Sequence, residues 1–146
     1  MKDEIPVPYQ RTKSGLMVLT GKGMGTVINP GGNLISDLDG VARLLLLHRN
    51  RGEVDGERII SPKVLKQMYV AQPGTKGTGY GFGFNILKTR GDGSASRIQH
   101  TGASGTIGII DFDLDLVIII LTQVPQAQTN NWRRPLLEAI YTVFQD

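Results

Sequence analysis

The apolar positions of this chain change period as it is read. Across residues 37–51, Leu38, Val41, Leu44, Leu45 and Leu47 recur at helical spacing and cover most of a helix circumference. That pattern predicts a helix that is buried or wedged between two layers. "SDLD" at 36–39 has the form of a capping box, with the Ser36 hydroxyl accepting an amide of the first turn and Asp39 reaching back; Gly52 is the stop. "SPKVLKQMYV" at 61–70 predicts a second, shorter helix with Ser61 as cap and Pro62 at its first position. Residues 1–33 are rich in Gly and Pro and keep no period. They predict loop or extended structure, with one short strand around Leu16–Leu19.

Past Pro73 the period shifts to alternation. "YGFGFNIL" at 80–87 places Tyr80, Phe82, Phe84 and Ile86 on one side and two glycines on the other, which predicts a strand. "RGDG" at 90–93 predicts a hairpin turn leading to a strand over about Arg97–Thr101. Thr106–Asp111 and Leu116–Gln123 follow as two strands joined by the "FDLD" turn. The unbroken apolar run inside the second of these suits a strand covered on both faces. After the polar "QAQTNN", Leu136, Leu137, Ile140, Tyr141 and Phe144 form a helical stripe expected to lie across this sheet. The predicted fold class is α+β, with helices followed by an antiparallel sheet and a C-terminal helix, in a single domain spanning 1–146.

Composition narrows the chemistry. A chain of 146 residues, 40% apolar and 20% charged, is long enough to bury its own core. It has no cysteine, which excludes disulfides, thiolate catalysis and cysteine-ligated metal sites. The net charge of +3 comes from scattered Lys and Arg without a basic stripe, so no nucleic-acid partner is expected. The longest apolar run, "LVIIIL" at 116–121, is too short to span a bilayer, and "MKDEIPVPYQ" has no signal-peptide pattern. On this reading the chain either stays inside the cell or lacks an exporting N-terminus. "GKGMG" at 21–25 lacks the Lys-Ser/Thr ending of a phosphate loop and reads as a plain loop.

Candidate chemistry concentrates in "RIQHTGASGTIGIIDFD" at 97–113. Gly102 would let a substrate backbone approach the strand closely. The Ala103 amide could donate a hydrogen bond to a developing oxyanion. His100 and Thr101 would bring a proton-active group and a hydroxyl beside it. The residues equally allow a plain strand histidine followed by a tight connection. Asp111, Asp113 and Asp115 alternate like a cation loop, yet "DFDLD" lacks the Gly and terminal Glu of an EF-hand and reads as a hairpin with exposed carboxylates. His48, near a helix C-terminus, suits a partly protonated imidazole. Two histidines 52 positions apart with no third ligand supply no metal pattern, and no cofactor is expected.

From about Pro30 onward the chain resembles the C-terminal half of the penicillin-recognising serine hydrolases. That superfamily includes class C β-lactamases, D-Ala-D-Ala carboxypeptidases, D-aminopeptidases and related esterases. Five segments carry the resemblance in order: "GGNLISDLDGVARLLLL", "RIISPKVLKQM", "YGFGFNI", "HTGASGTIGIIDFDLDLVIIILTQ" and "RRPLLEAIYTVF". The third family motif falls on His100-Thr101-Gly102, with histidine where β-lactamases usually carry lysine, as in the D-aminopeptidase and esterase branches. The resemblance implies that the Ala103 amide forms half of an oxyanion hole and that Thr101 and Gly102 contact substrate. Gln123 stands where class C enzymes carry asparagine, and no role is transferred to it.

The other two family motifs are absent. The six serines are followed three residues on by Met17, Asp39, Val64, Arg97, Gln99 and Ile107, so none forms Ser-x-x-Lys. No tyrosine is followed two residues on by asparagine. The sequence therefore resembles a serine hydrolase without its nucleophile, expected to be inactive alone on amide, ester, β-lactam or peptidoglycan-like substrates. The alternative is a non-catalytic binding or scaffold domain derived from that fold. The resemblance implies a periplasmic or extracytoplasmic site of action. It also implies a missing N-terminal half as partner, with a small-molecule or peptide substrate only in the complete enzyme. Without that half, the strand ending at His100–Ala103 is expected to be an open edge, Leu44–Leu47 to be partly exposed, and the chain to self-associate.

Overall fold

The computed structural model describes residues 9–18, 34–75, 79–125 and 129–144; the "GKGMG" loop lies outside them. The chain forms two compact units, one of Ser36–Thr101 with Ile107–Ile120, the other of Met1–Ile35, Gly102–Thr106 and Leu121–Asp146.

The larger unit opens with helix α1, Leu38–Arg49. Its cap is Asp37 rather than Ser36: the Asp37 carboxylate accepts the Gly40 amide at 2.8 Å. A carboxylate at this position meets both an orphan amide and the positive end of the helix dipole, so the start shifts one residue from the expected cap. The Gly52 amide bonds to the Leu47 carbonyl at 2.7 Å just past the helix end, in line with its expected role as stop. The wedged helix expected from the leucine run is not what forms. Leu45 and His48 are buried and Val41 is half-buried, whereas Leu38, Leu44 and Leu46 are exposed. The 41–45–48 stripe alone faces the sheet, and Leu44 and Leu47 instead line an open cleft of about 320 Å³ beside strands β3 (Glu53–Val54) and β4 (Glu57–Arg58). Helix α2, Pro62–Met68, starts as expected, with the Val64 amide donating to the Ser61 hydroxyl at 3.3 Å.

Residues 80–84 do not form the predicted strand. Tyr80 makes only an isolated bridge to Asn85, and the backbone between them folds into a turn. There the Gly81 amide bonds to the Phe84 carbonyl at 2.8 Å, and the Phe82 amide to the Met68 carbonyl at 2.9 Å. Gly83 takes φ of 82°, a conformation that breaks the alternation, so Phe82 is exposed while Phe84 enters the core.

The sheet proper has strands β5 (Asn85–Thr89), β6 (Ala95–Thr101), β7 (Ile107–Asp111) and β8 (Leu116–Ile120), paired antiparallel in that order. The core of the unit is Leu45 of α1 with Phe84, Ala95, Ile98 and Ile110, flanked by Met68, Tyr69, Phe112 and Val117. The stretch expected to be an open edge, His100–Ala103, begins just past the point where β5 stops pairing with β6. Strand β6 lies inside the sheet, and its pairing with β5 runs as far as Asn85 opposite Gln99. His100 and Thr101 lie beyond that last β5 partner.

In the smaller unit, β1 (Tyr9–Thr12) and β2 (Gly15–Val18) make a hairpin, and the Tyr9 amide bonds to the Gln123 carbonyl at 2.7 Å. Helix α3 spans Asn130–Val143. Leu137, Ile140 and Tyr141 of its stripe are half-buried; Leu136 and Phe144 are exposed. Among the described residues no helix is long and apolar enough to cross a membrane.

Candidate functional site

The four predicted site residues are consecutive, so each side of the site can be built from its own local structure. His100 and Thr101 close β6, opposite Gly108 and Ile107 of β7. Strand alternation puts His100 on the face of Ile98, the residue that packs with Leu45 of α1. Ile98 is fully buried and His100 is exposed, so the same face passes from core to solvent in two residues.

Gly102 and Ala103 open the turn that follows, and this turn is tightly held within the smaller unit. The Gly102 amide donates to the Thr106 carbonyl at 2.9 Å, and the Gly105 amide to the Gly102 carbonyl at 3.0 Å. A Cβ on Gly102 would collide with the Thr106 hydroxyl. Gly105 has φ of 82°, and a Cβ there would lie 2.5–2.7 Å from the Thr122 hydroxyl, the Thr129 methyl and the Val124 carbonyl. Gly105 therefore requires glycine for both space and conformation, whereas a Cβ at Gly102 would force the Thr106 side chain to move. The Ser104 carbonyl accepts twice, from the Thr122 hydroxyl at 2.7 Å and the Val124 amide at 3.1 Å. Arg133 reaches the Gly105 carbonyl at 3.4 Å.

Between these anchored neighbours sits exposed Ala103, whose N–H meets no acceptor among the described residues. Residue types point to Gly102 and Ala103 but not to Gly105, Thr122 or Val124, which hold the turn. The second glycine of "GASG" was the available signal.

Other titratable groups fall elsewhere. His48 is 5% exposed, with Nδ1 2.7 Å from the Tyr69 hydroxyl and its ring edge-on to Phe84. Burial lowers its pKa below the ordinary imidazole value, opposite to the protonation expected at a helix C-terminus. The same burial raises the Tyr69 pKa. The "DFDLD" carboxylates are engaged rather than free. Asp111 is buried, receives Arg97 at 2.7 Å and accepts the amides of Asp113 and Leu114. Asp113 pairs with Arg90, and Asp115 with Arg49. Of the three, only Asp111 departs from the exposed-hairpin reading, because it serves as the internal cap of its own turn. In "RGDG", Arg90 is held by Asp113 and Ser94, and hydrogen bonds from the Ser94 side chain and amide lower the Asp92 pKa. Among the described residues no cluster of three or more His, Asp or Glu could hold a metal ion.

A four-stranded antiparallel sheet with helices, and His-Thr-Gly at the end of an inner strand, form an α+β fold of the beta-lactamase type. The beta-lactamase family profile matches residues 2–140, and the chain belongs to that family. In structure it is similar to a crystallised protein from Bacteroides dorei DSM 17855 that is provisionally named a beta-lactamase, with a TM-score of 0.53 at 20% identity. The similarity covers 70% of this chain and 37% of the other, so the chain spans little more than a third of that neighbour. No curated protein matches it in sequence.

Proposed function

We propose that this chain supplies the His-Thr-Gly strand and half of the oxyanion hole of a serine hydrolase acting on an amide, ester or related acyl substrate. The observation that carries the reading is the N–H of exposed Ala103, without an acceptor among the described residues, in a turn whose Gly102 and Gly105 amides are bonded. A donor held in that way is preorganised for a developing negative charge. Thr101 and Gly102 would border the reacting carbonyl, and His100, exposed beside them, would be the proton-active neighbour. The nucleophile would come from Ser-x-x-Lys in a segment outside these 146 residues, since none of the six serines has that lysine.

Incubating the isolated chain with chromogenic cephalosporins and p-nitrophenyl esters tests this division of labour. Buffer-level rates and no acylated peptide by mass spectrometry are expected, because an oxyanion half-site without a nucleophile has no covalent route. Saturable turnover with an acyl group on one of the chain's own serines would overturn it.

A further inference from the structure

The Ser104 carbonyl is the most heavily tied atom of the site turn, and both ties come from the segment that leaves the sheet after β8. One is a backbone amide, from Val124 at 3.1 Å. The other is a side chain, the Thr122 hydroxyl at 2.7 Å. The same hydroxyl fills the space that a Cβ on Gly105 would occupy, at 2.5 Å. One half-buried side chain thus touches the turn at two successive residues immediately after Ala103.

We propose that Thr122 is a positioning residue for the Ala103 amide. The Ser104 carbonyl shares its peptide unit with the Gly105 N–H, which donates to the Gly102 carbonyl, and that carbonyl shares its peptide unit with the Ala103 N–H. The Ser104 carbonyl, fixed by two donors from a neighbouring segment, cannot rotate without breaking both, and through the Gly105 amide it holds the unit that carries the Ala103 donor. The Val124 amide alone leaves that carbonyl free to pivot about a single bond. The hydroxyl supplies the second point and converts a hinge into a clamp. Arg133, at 3.4 Å from the Gly105 carbonyl, braces the far end of the turn more weakly. The oxyanion role of Ala103 comes from the function proposed above; the clamp on the turn is a separate statement about this chain.

Two variants of the ¹⁵N-labelled 146-residue chain separate the hydroxyl from the bulk of the side chain. Thr122→Val keeps the shape and removes the donor, and Thr122→Ser keeps the donor and removes the methyl. In the parent chain and in Thr122→Ser, the Ala103 and Ser104 amides should show order parameters of rigid backbone, about 0.85. In Thr122→Val they should fall below about 0.6, while the amides of β7 stay rigid. Unchanged order at Ala103 in Thr122→Val would overturn the proposal, and so would loosening of Ala103 in Thr122→Ser, even if the valine variant failed to fold. Relaxation does not depend on hydrolysis. A failed clamp would leave the oxyanion reading intact, and a rigid, clamped Ala103 that proved irrelevant to hydrolysis would overturn only that reading.

Discussion

The His48 imidazole nitrogen Nδ1 lies 2.7 Å from the Tyr69 hydroxyl, and this contact joins the C-terminal turn of α1 to the end of α2. Both rings pack against Phe84. His48 is 5% exposed, so a charge on its ring would sit where little water reaches.

The consequence is an acid-sensitive fold. Burial lowers the His48 pKa in the folded state, so the unfolded chain binds more protons below the ordinary value of 6.5. The stabilisation is complete above pH 6.5 and is lost as pH falls from there toward the lower folded value. Urea denaturation at pH 7 and pH 5 should give a lower midpoint at pH 5. His48→Gln, which has no imidazole to titrate, should flatten that difference. An equal midpoint at both values would contradict the burial of a neutral ring.

Arg97 and Asp111 form the second test, because they pair across β6 and β7 with little access to water. The Asp111 side chain is 3% exposed and that of Arg97 is 23% exposed. Removing Arg97 leaves a buried carboxylate supported, among the described residues, by the amides of Asp113 and Leu114 alone. Arg97→Ala should therefore cost about 3 kcal/mol of stability. Asp113→Ala, which breaks more exposed pairs with Arg90 and Lys88, should cost less than about 1 kcal/mol. Equilibrium urea curves for the two variants give the comparison directly.

These residues also show what the sequence could reveal. Helices α1 and α2 were legible because periodic apolar residues and Ser/Asp caps are local signals, although Asp37 took the cap in place of Ser36. The β6–β7–β8 meander was legible from alternation and turn residues. "YGFGF" misled for a physical reason: aromatic–glycine alternation looks the same whether the glycines serve a flat strand or a turn with Gly83 at positive φ. Strand β1, "YQRT", has too little apolar content to announce itself and exists by pairing with β2. The burial of His48 depends on Tyr69, 21 residues away, and the tie of Thr122 to Ser104 spans 18. Contacts of that range, ending in one case on a backbone carbonyl, leave no side-chain pattern to read.

The site turn makes its own prediction about coupling. A methyl on Gly102 would collide with the Thr106 hydroxyl, whereas nothing in the Gly102 backbone angle forbids alanine. Gly102→Ala should then destabilise by roughly 1–3 kcal/mol, the range of an overpacked site. Gly102→Ala combined with Thr106→Ala should recover part of the loss. A double-mutant cycle would show non-additivity above about 0.5 kcal/mol. Gly105→Ala has no such rescue, because its obstruction includes the Val124 carbonyl and its φ is 82°.

Ala103 itself gives the sharpest contrast between side chain and backbone. Its side chain is exposed, so Ala103→Ser should leave stability within about 0.5 kcal/mol of the parent. Its N–H, on the reading proposed here, is the working group. Semisynthesis can replace the amide linkage between Gly102 and Ala103 with an ester, which deletes that one donor and leaves the side chain in place. With a Ser-x-x-Lys segment encoded upstream added in trans, the parent chain and Ala103→Ser should restore ester hydrolysis. The ester-linked chain should fall about 10²–10³-fold in kcat, the usual loss for one oxyanion donor. If all three chains hydrolyse alike, the Ala103 amide is not part of the oxyanion hole. If none does although the two segments bind, the fold serves as a binding domain.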